Sequence, residues 1–277
     1  MKQRIIWGLL GGWALVFCVT GPDWLLFFFL SFLLLPSLRE WHRLLTRLGI
    51  KFLPYFTYPV SVLFLLVVWL VHREIHTLLI ALIGFFLVPI LLFVVLTAIS
   101  PLPYRLSDVG IGLMSVWLFG FFLSLVWFYR HIGQMLPLGE NSQLPGLFPF
   151  LAAFCYDTSA FFSGKFWGKT QMHPRISPGK TWEGVMGGTL GLFLCLFLFH
   201  RWFFQNLPIS FYQGILATLW MAFCAQCGDL FISIIKREAR VKDSGYFLPG
   251  HGGILDRIDS VLLTLPGGLI FAWWMIM

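Results

Sequence analysis

Apolar runs of roughly 20 residues recur from end to end of this chain, each about the length that crosses the hydrocarbon core of a bilayer. Taken between their polar breaks, they predict nine helical spans, near residues 5–20, 23–36, 53–71, 76–97, 109–128, 147–164, 183–199, 211–235 and 259–276. The runs are continuous rather than alternating, which excludes the strands of a transmembrane barrel. Backbone exposed to lipid must then satisfy its own hydrogen bonds as helix. The first two runs share one short apolar stretch broken at Gly21-Pro22-Asp23. Each is either a full span or a tilted, short or re-entrant piece, and the first is alternatively a signal anchor. The expected fold class is all-α, a polytopic integral membrane protein with about nine transmembrane helices.

Composition agrees with that pattern and adds an orientation. The 277 residues are 58% hydrophobic and only 11% charged, far from the quarter or so of charged residues in soluble domains. No separate soluble domain is visible. With nine spans and a cytoplasmic N-terminus, 16 of the 19 basic residues fall on the inner side, leaving Arg73, Arg130 and Arg201 outside. That bias follows the positive-inside rule and puts the two richest polar loops in the cytoplasm. Topology alone accounts for much of the net charge of +7, including the basic residues from Arg39 to Lys51. Nucleic acid is not expected as a partner of so apolar a chain. The five cysteines lie in or beside apolar runs, and Cys224-x-x-Cys227 has no second pair or histidine at zinc spacing, so packing is their expected role.

Chemistry concentrates in two inner segments. On a helix, Asp229, Ser233, Lys236, Arg237 and Arg240 share one face, bringing a carboxylate, a hydroxyl and three cations into a line leaving the bilayer. An Asp inside a span costs about 2.5–3.5 kcal/mol on insertion scales, so Asp229 needs a partner or a cation. The following loop is rich in glycine and delivers His251, Asp256, Arg257 and Asp259. Carboxylates on two segments among cations suit Mg²⁺ carrying phosphates, while pairing of Asp256 and Asp259 with Arg257 and Lys242 weighs equally on spacing alone. The second segment holds Lys165, Lys169, His173, Arg175, Ser177 and Lys180 and is suited to anions. Thr181 can cap the next helix, with Glu183 in its first turn. Asp157 lies inside the sixth predicted span, either as a functional group or in structural pairing with a neighbouring helix. The remaining histidines and most Trp and Tyr residues fit an interfacial belt.

These residues resemble a known family. Ser233-x-x-Lys236-Arg237, then Lys242-Asp243-x-Gly245, then Pro249-x-His251-Gly252-Gly253-x-x-Asp256-Arg257-x-Asp259 is similar to the signature of phosphatidate cytidylyltransferases, also called CDP-diacylglycerol synthases. Gly228-Asp229, Ser177-Pro178-x-Lys180-Thr181-x-Glu183-Gly184 and Asp157-Thr158 also follow family patterns, so the resemblance covers roughly the C-terminal half. It implies N-terminal transmembrane helices over 1–100 and a catalytic transmembrane region over 101–277. The activity implied is Mg²⁺-dependent transfer of a cytidylyl group from CTP to phosphatidate at the cytoplasmic side of a bacterial inner membrane, with a homodimer as one open assembly. Under that resemblance, Asp229, Asp256, Lys236 and Arg237 form the catalytic set and Asp229, Asp256 and Asp259 hold metal. Ser177, Lys180, Thr181, Ser233, Lys242, His251, Arg257 and Asp157 contact substrate. The chain departs from family habit at Ile232, where Glu is frequent, at Ser159-Ala160-Phe161 and at Gly179. Two other readings are a transferase acting on another lipid phosphate of isoprenoid-ether type and an ion-coupled transporter. The transporter's expected inverted repeat is not apparent.

Overall fold

A computed structural model describes residues 2–51, 53–71, 84, 87, 90–91, 106–135, 143–174, 176–203, 210–246 and 252–276. They are mostly helical: α1 Lys2–Thr20, α2 Asp23–Arg47, α3 Pro54–Val71, α4 Leu106–Ser115, α5 Phe122–Met135, α6 Phe148–Trp167, α7 Trp182–Phe203, α8 Phe211–Glu238 and α9 Leu255–Ile276. A π-helical turn, Val116–Phe121, joins α4 to α5, and a 3-10 turn, Leu144–Leu147, leads into α6. A short antiparallel hairpin, β1 Gln171–His173 and β2 Ser177–Thr181, separates α6 from α7. Among the described residues, four helical stretches are long and apolar enough to cross a membrane: Asp23–Arg47, Pro54–Val71, Ser107–Ile132 and Phe211–Glu238. The predicted span 76–97 lies almost wholly outside the described residues.

The run near 23–36 does not end at Pro36, because α2 continues through it to Arg47. Leu26, Leu30, Leu34, Leu38 and Trp41 recur one turn apart and are fully buried, followed by the nearly buried Leu44 and Leu45. The stripe carries on past the proline, so close packing along it holds the helix together despite the lost backbone bond.

The chain divides into two compact units, Met1–His131 with Asp243–Leu255, and Ile132–Lys242 with Asp256–Met277. In the first, the Trp41 indole N–H donates to Ser115 Oγ at 2.8 Å, and Phe119 meets the Trp41 ring edge-on, centroids 5.8 Å apart. A Cβ on Gly120, within the π turn, would lie 3.0 Å from Ser61 Cα, so α3 packs directly on that backbone. Polar contacts tie element ends together. Arg130 of α5 reaches Asp23 and the Gly21 carbonyl, both at 3.1 Å, and the Lys51 N–H donates to buried Asp108 at 3.2 Å.

In the second unit, α6 and α7 meet along a seam of small residues. A Cβ at Gly187 or Gly191 would overlap Ser163 or Ser159, so neither position admits a side chain without moving a backbone. Helix α8 starts in a capping box, with Ser210 accepting from the Gln213 N–H and Gln213 accepting from the Ser210 N–H at 2.8 Å. It ends in a Schellman motif. Arg240 has φ 57°, its N–H bonds the Arg237 carbonyl, and the Val241 N–H bonds the Lys236 carbonyl. Arg240 therefore lies beyond the helix and leaves the face it was expected to share with Asp229. Gly187→Leu is expected to destabilise the detergent-solubilised protein by about 1–3 kcal/mol, read as a lowered melting temperature, with the exposed Leu190→Ala close to parental.

Candidate active site

All parts of the site belong to the second unit. Helix α8 presents Asp229 and, one turn later, Ser233, whose hydroxyl donates to Asp229 Oδ1 at 3.1 Å. Lys236 follows on the same face and is 8% exposed. Its ammonium donates to Asp256 Oδ1 at 2.7 Å, at the first turn of α9. Gly228 makes the close approach of α8 and α9 possible, since a Cβ there would overlap the Asp259 carbonyl and sit 3.2 Å from Ser260 Cα. The Gly228-Asp229 pair thus has two physical jobs, contact and charge.

The opposite wall comes from α6, the hairpin and the start of α7. Lys180, on β2, pairs with Asp229. Thr181 caps α7, its Oγ1 accepting the Gly184 N–H at 3.1 Å, and the Glu183 carboxylate accepts the N–H groups of Lys169 and Thr170. Those bonds hold the hairpin's base against the helix it precedes. Asp157 on α6 accepts from Ser260 Oγ on α9 at 2.7 Å, while Ser260 N–H donates to its neighbour Asp259 at 2.8 Å.

Together these groups enclose a cavity of about 360 Å³ lined by Tyr156, Asp157, Ala160, Phe161, Gly164, Lys165, Gly179, Lys180, Thr181, Gly184, Val185, Gln226, Asp229, Asp256 and Asp259. Of the residues expected from sequence, Asp157, Lys180, Thr181, Asp229, Asp256 and Asp259 line it, with Ser233 and Lys236 bonded directly to its carboxylates. Ser177, Lys242, Arg237 and Arg257 are not in the lining. Arg237 instead donates to the Ile176 carbonyl at 3.0 Å and to the Val241 carbonyl at 3.0 Å, tying the end of α8 to the hairpin. His251 lies outside the described residues. Of the departures from family habit, Ile232 is fully buried and apolar, Gly179 leaves open space where a Cβ would be, and Ser159 serves the α6–α7 seam.

Two polar lining residues, Tyr156 and Gln226, were not singled out from sequence. The Tyr156 hydroxyl donates to Gln226 Oε1 at 2.8 Å, both side chains being buried. Tyr156 was hidden by its resemblance to an interfacial aromatic. Gln226 had a signal that went unused, since an amide within an apolar span needs a partner as a carboxylate does.

Four carboxylates around one cavity are hard oxygen donors, the chemistry that suits Mg²⁺. Among the described residues no three His, Cys, Asp or Glu side chains come together as a metal-holding group.

The sequence pattern of the cytidylyltransferase family matches residues 2–275. The chain belongs to the cytidylyltransferase family. It is 36% identical over 177 residues to a phosphatidate cytidylyltransferase of Rickettsia typhi, covering 57% of this chain and 75% of the relative. It is 46% identical over 110 residues to one of Bacillus subtilis, 40% of each chain, and 39% identical over 124 residues to one of Haemophilus influenzae, 43% of this chain and 42% of that one. The chain thus matches less than half the length of the last two. For this family member, Lys236→Met is expected to destabilise by about 3–5 kcal/mol, because it strands a buried carboxylate. The double variant Lys236→Met/Asp256→Leu should recover most of that loss in a detergent melting series while remaining inactive.

Proposed function

We propose that this protein transfers a cytidylyl group from CTP to phosphatidate, giving CDP-diacylglycerol and pyrophosphate for phospholipid biosynthesis. The observation that carries the reading is one cavity lined by both halves of the family signature, with two lysine–carboxylate pairs at Asp229 and Asp256. A phosphate oxygen of the lipid attacks the α-phosphorus of CTP. The bond from that phosphorus to the bridging oxygen breaks, and pyrophosphate leaves with the electron pair. Two polyanions must be held together in line, so positioning and charge neutralisation provide most of the catalysis and no protein nucleophile is required.

The lysines do two things in turn. Before substrate arrives, Lys180 and Lys236 answer Asp229 and Asp256. An incoming phosphate competes for those ammonium groups, and each lysine that turns to it releases a carboxylate oxygen. Lys165 on the cavity wall adds a third cation. Asp229 and Asp256 would hold Mg²⁺, with Asp259 supporting, and the ion supplies charge neutralisation at the departing pyrophosphate. Arg237, Ser177 and Lys242 act from outside the cavity wall, Arg237 by bracing the hairpin that carries Lys180.

We place the N-terminus in the cytoplasm, with nine spans and the site at the cytoplasmic face of a bacterial inner membrane. Support comes from the basic-residue bias and from contacts among the described residues that join ends assigned to the same side. Arg130 and Asp23 are both outside in that arrangement, whereas Lys51 and Asp108 are both inside.

Purified protein in lipid, given labelled CTP and a panel of lipid phosphates with and without Mg²⁺, tests the reading. The expected product is CDP-diacylglycerol from phosphatidate, formed only with the divalent ion. A preference for an isoprenoid-ether phosphate would move the assignment to that substrate, and no CDP-lipid from any acceptor would end it. Asp229→Ala and Asp256→Ala should each lower turnover about 10²–10³-fold. Parental rates in either would remove that residue from the metal site.

A further inference from the structure

Among the described residues, the proposed reaction leaves two buried acids unused, Asp108 and Glu40. Glu40, on α2, is 3% exposed and sits among residues whose charges otherwise fit plain membrane anchoring. Its carboxylate accepts from Ser244 Oγ at 2.7 Å, from the Ile254 N–H at 3.1 Å and from the Leu255 N–H at 2.9 Å. The two N–H groups open helix α9, where the helix itself offers no acceptor and its dipole favours a negative charge.

The glycines around it point the same way. A Cβ on Gly245 would lie 2.5 Å from Glu40 Oε1, and one on Gly253 would overlap Glu40 Oε2 and Ser244 Oγ. Gly252 adds a φ of 79°, a conformation that side chains disfavour. Both limbs of the segment Asp243–Leu255 therefore close around one carboxylate from a helix more than 200 residues earlier in the chain. A neutral Ser or Asn would cap the helix start alone. An ionised carboxylate with two oxygens can hold the helix start and the other limb at once, through bonds stronger than neutral ones.

We infer that Glu40 is a positioning residue for the proposed cytidylyl transfer. It fixes the backbone at Leu255, and Asp256 is the next residue along α9. This rests on the function proposed above, because positioning has meaning only if Asp256 works at the reacting phosphates. Displacement of such a group by about 1 Å can cost 10²-fold in rate. Glu40→Gln keeps the size and one acceptor oxygen but turns an N–H₂ toward donors.

The test uses the full chain in lipid: parent, Glu40→Gln and Ser244→Ala. Three readouts are followed: kcat and KM for CTP, the Mg²⁺ concentration for half-activity, and hydrogen exchange of peptides containing Ile254 and Leu255. Glu40→Gln is expected to lower kcat about 10- to 100-fold with KM for CTP within about threefold, raise the Mg²⁺ requirement and speed exchange at those amides. Ser244→Ala should act in the same direction by about 2- to 10-fold. A parental kcat in Glu40→Gln overturns the inference, as does a lowered melting temperature with kcat and Mg²⁺ dependence unchanged. If Glu40→Gln does not fold, Ser244→Ala decides by the same readouts. If the parent makes no CDP-lipid, the functional reading fails, and faster exchange in Glu40→Gln still establishes the capping contact on its own.

Discussion

A low-dielectric interior holds a carboxylate only when something answers its charge. The polar architecture of this protein is a set of such answers. Asp229 has Lys180 and Ser233, Asp256 has Lys236, Asp157 has Ser260, and Glu40 has a hydroxyl and two backbone N–H groups. All of these but the Ser233 bond, which lies within α8, join different elements, so charge compensation also acts as the fold's cross-bracing. Apolar side chains against lipid supply little directional information, and the acid partners supply it instead.

The same pairs explain how a site can be charged and still exist before substrate arrives. Lys180 in the cavity wall and Lys236 bonded to Asp256 offset the carboxylates there, and under the proposed reaction phosphate groups take those lysines over one at a time. Buried pairs often add little to stability compared with an apolar replacement, so under the proposed reaction the use of the Lys236–Asp256 pair is its exchange of partners.

Much of this was legible in the sequence where local rules apply. Continuous apolar runs located the helices, and the spacing of Asp229, Ser233 and Lys236 put them on one face because α8 is regular up to Glu238. Thr181 and Glu183 were readable as a helix start, and the structure uses them so. Arg240 was misplaced because the chain turns left-handed there, and an arginine gives no warning of that as a glycine would. The partners of Asp157 and Glu40 were not readable at all. Ser260 and Ser244 lie 103 and 204 positions away, and no single-sequence periodicity spans such a gap. Glu40 was further masked by Arg39 and Arg43, which made its surroundings look like a surface anchor.

The glycine–serine seam between α6 and α7 bears on how such an enzyme can diverge. Where glycine on one helix meets only the short side chain of serine on the other, the helix separation is set by the smallest side chains and a larger one at either position would force the helices apart. Asp157 rides on α6 and Lys180 on the strand leading into α7, so the distance across that wall is insulated from drift elsewhere. Phe154, Phe162, Leu190 and Leu194 on the exposed faces of the same helices are under no such constraint. Those outward positions can change to suit membrane thickness or acyl composition without altering the spacing across the wall between Asp157 and Lys180.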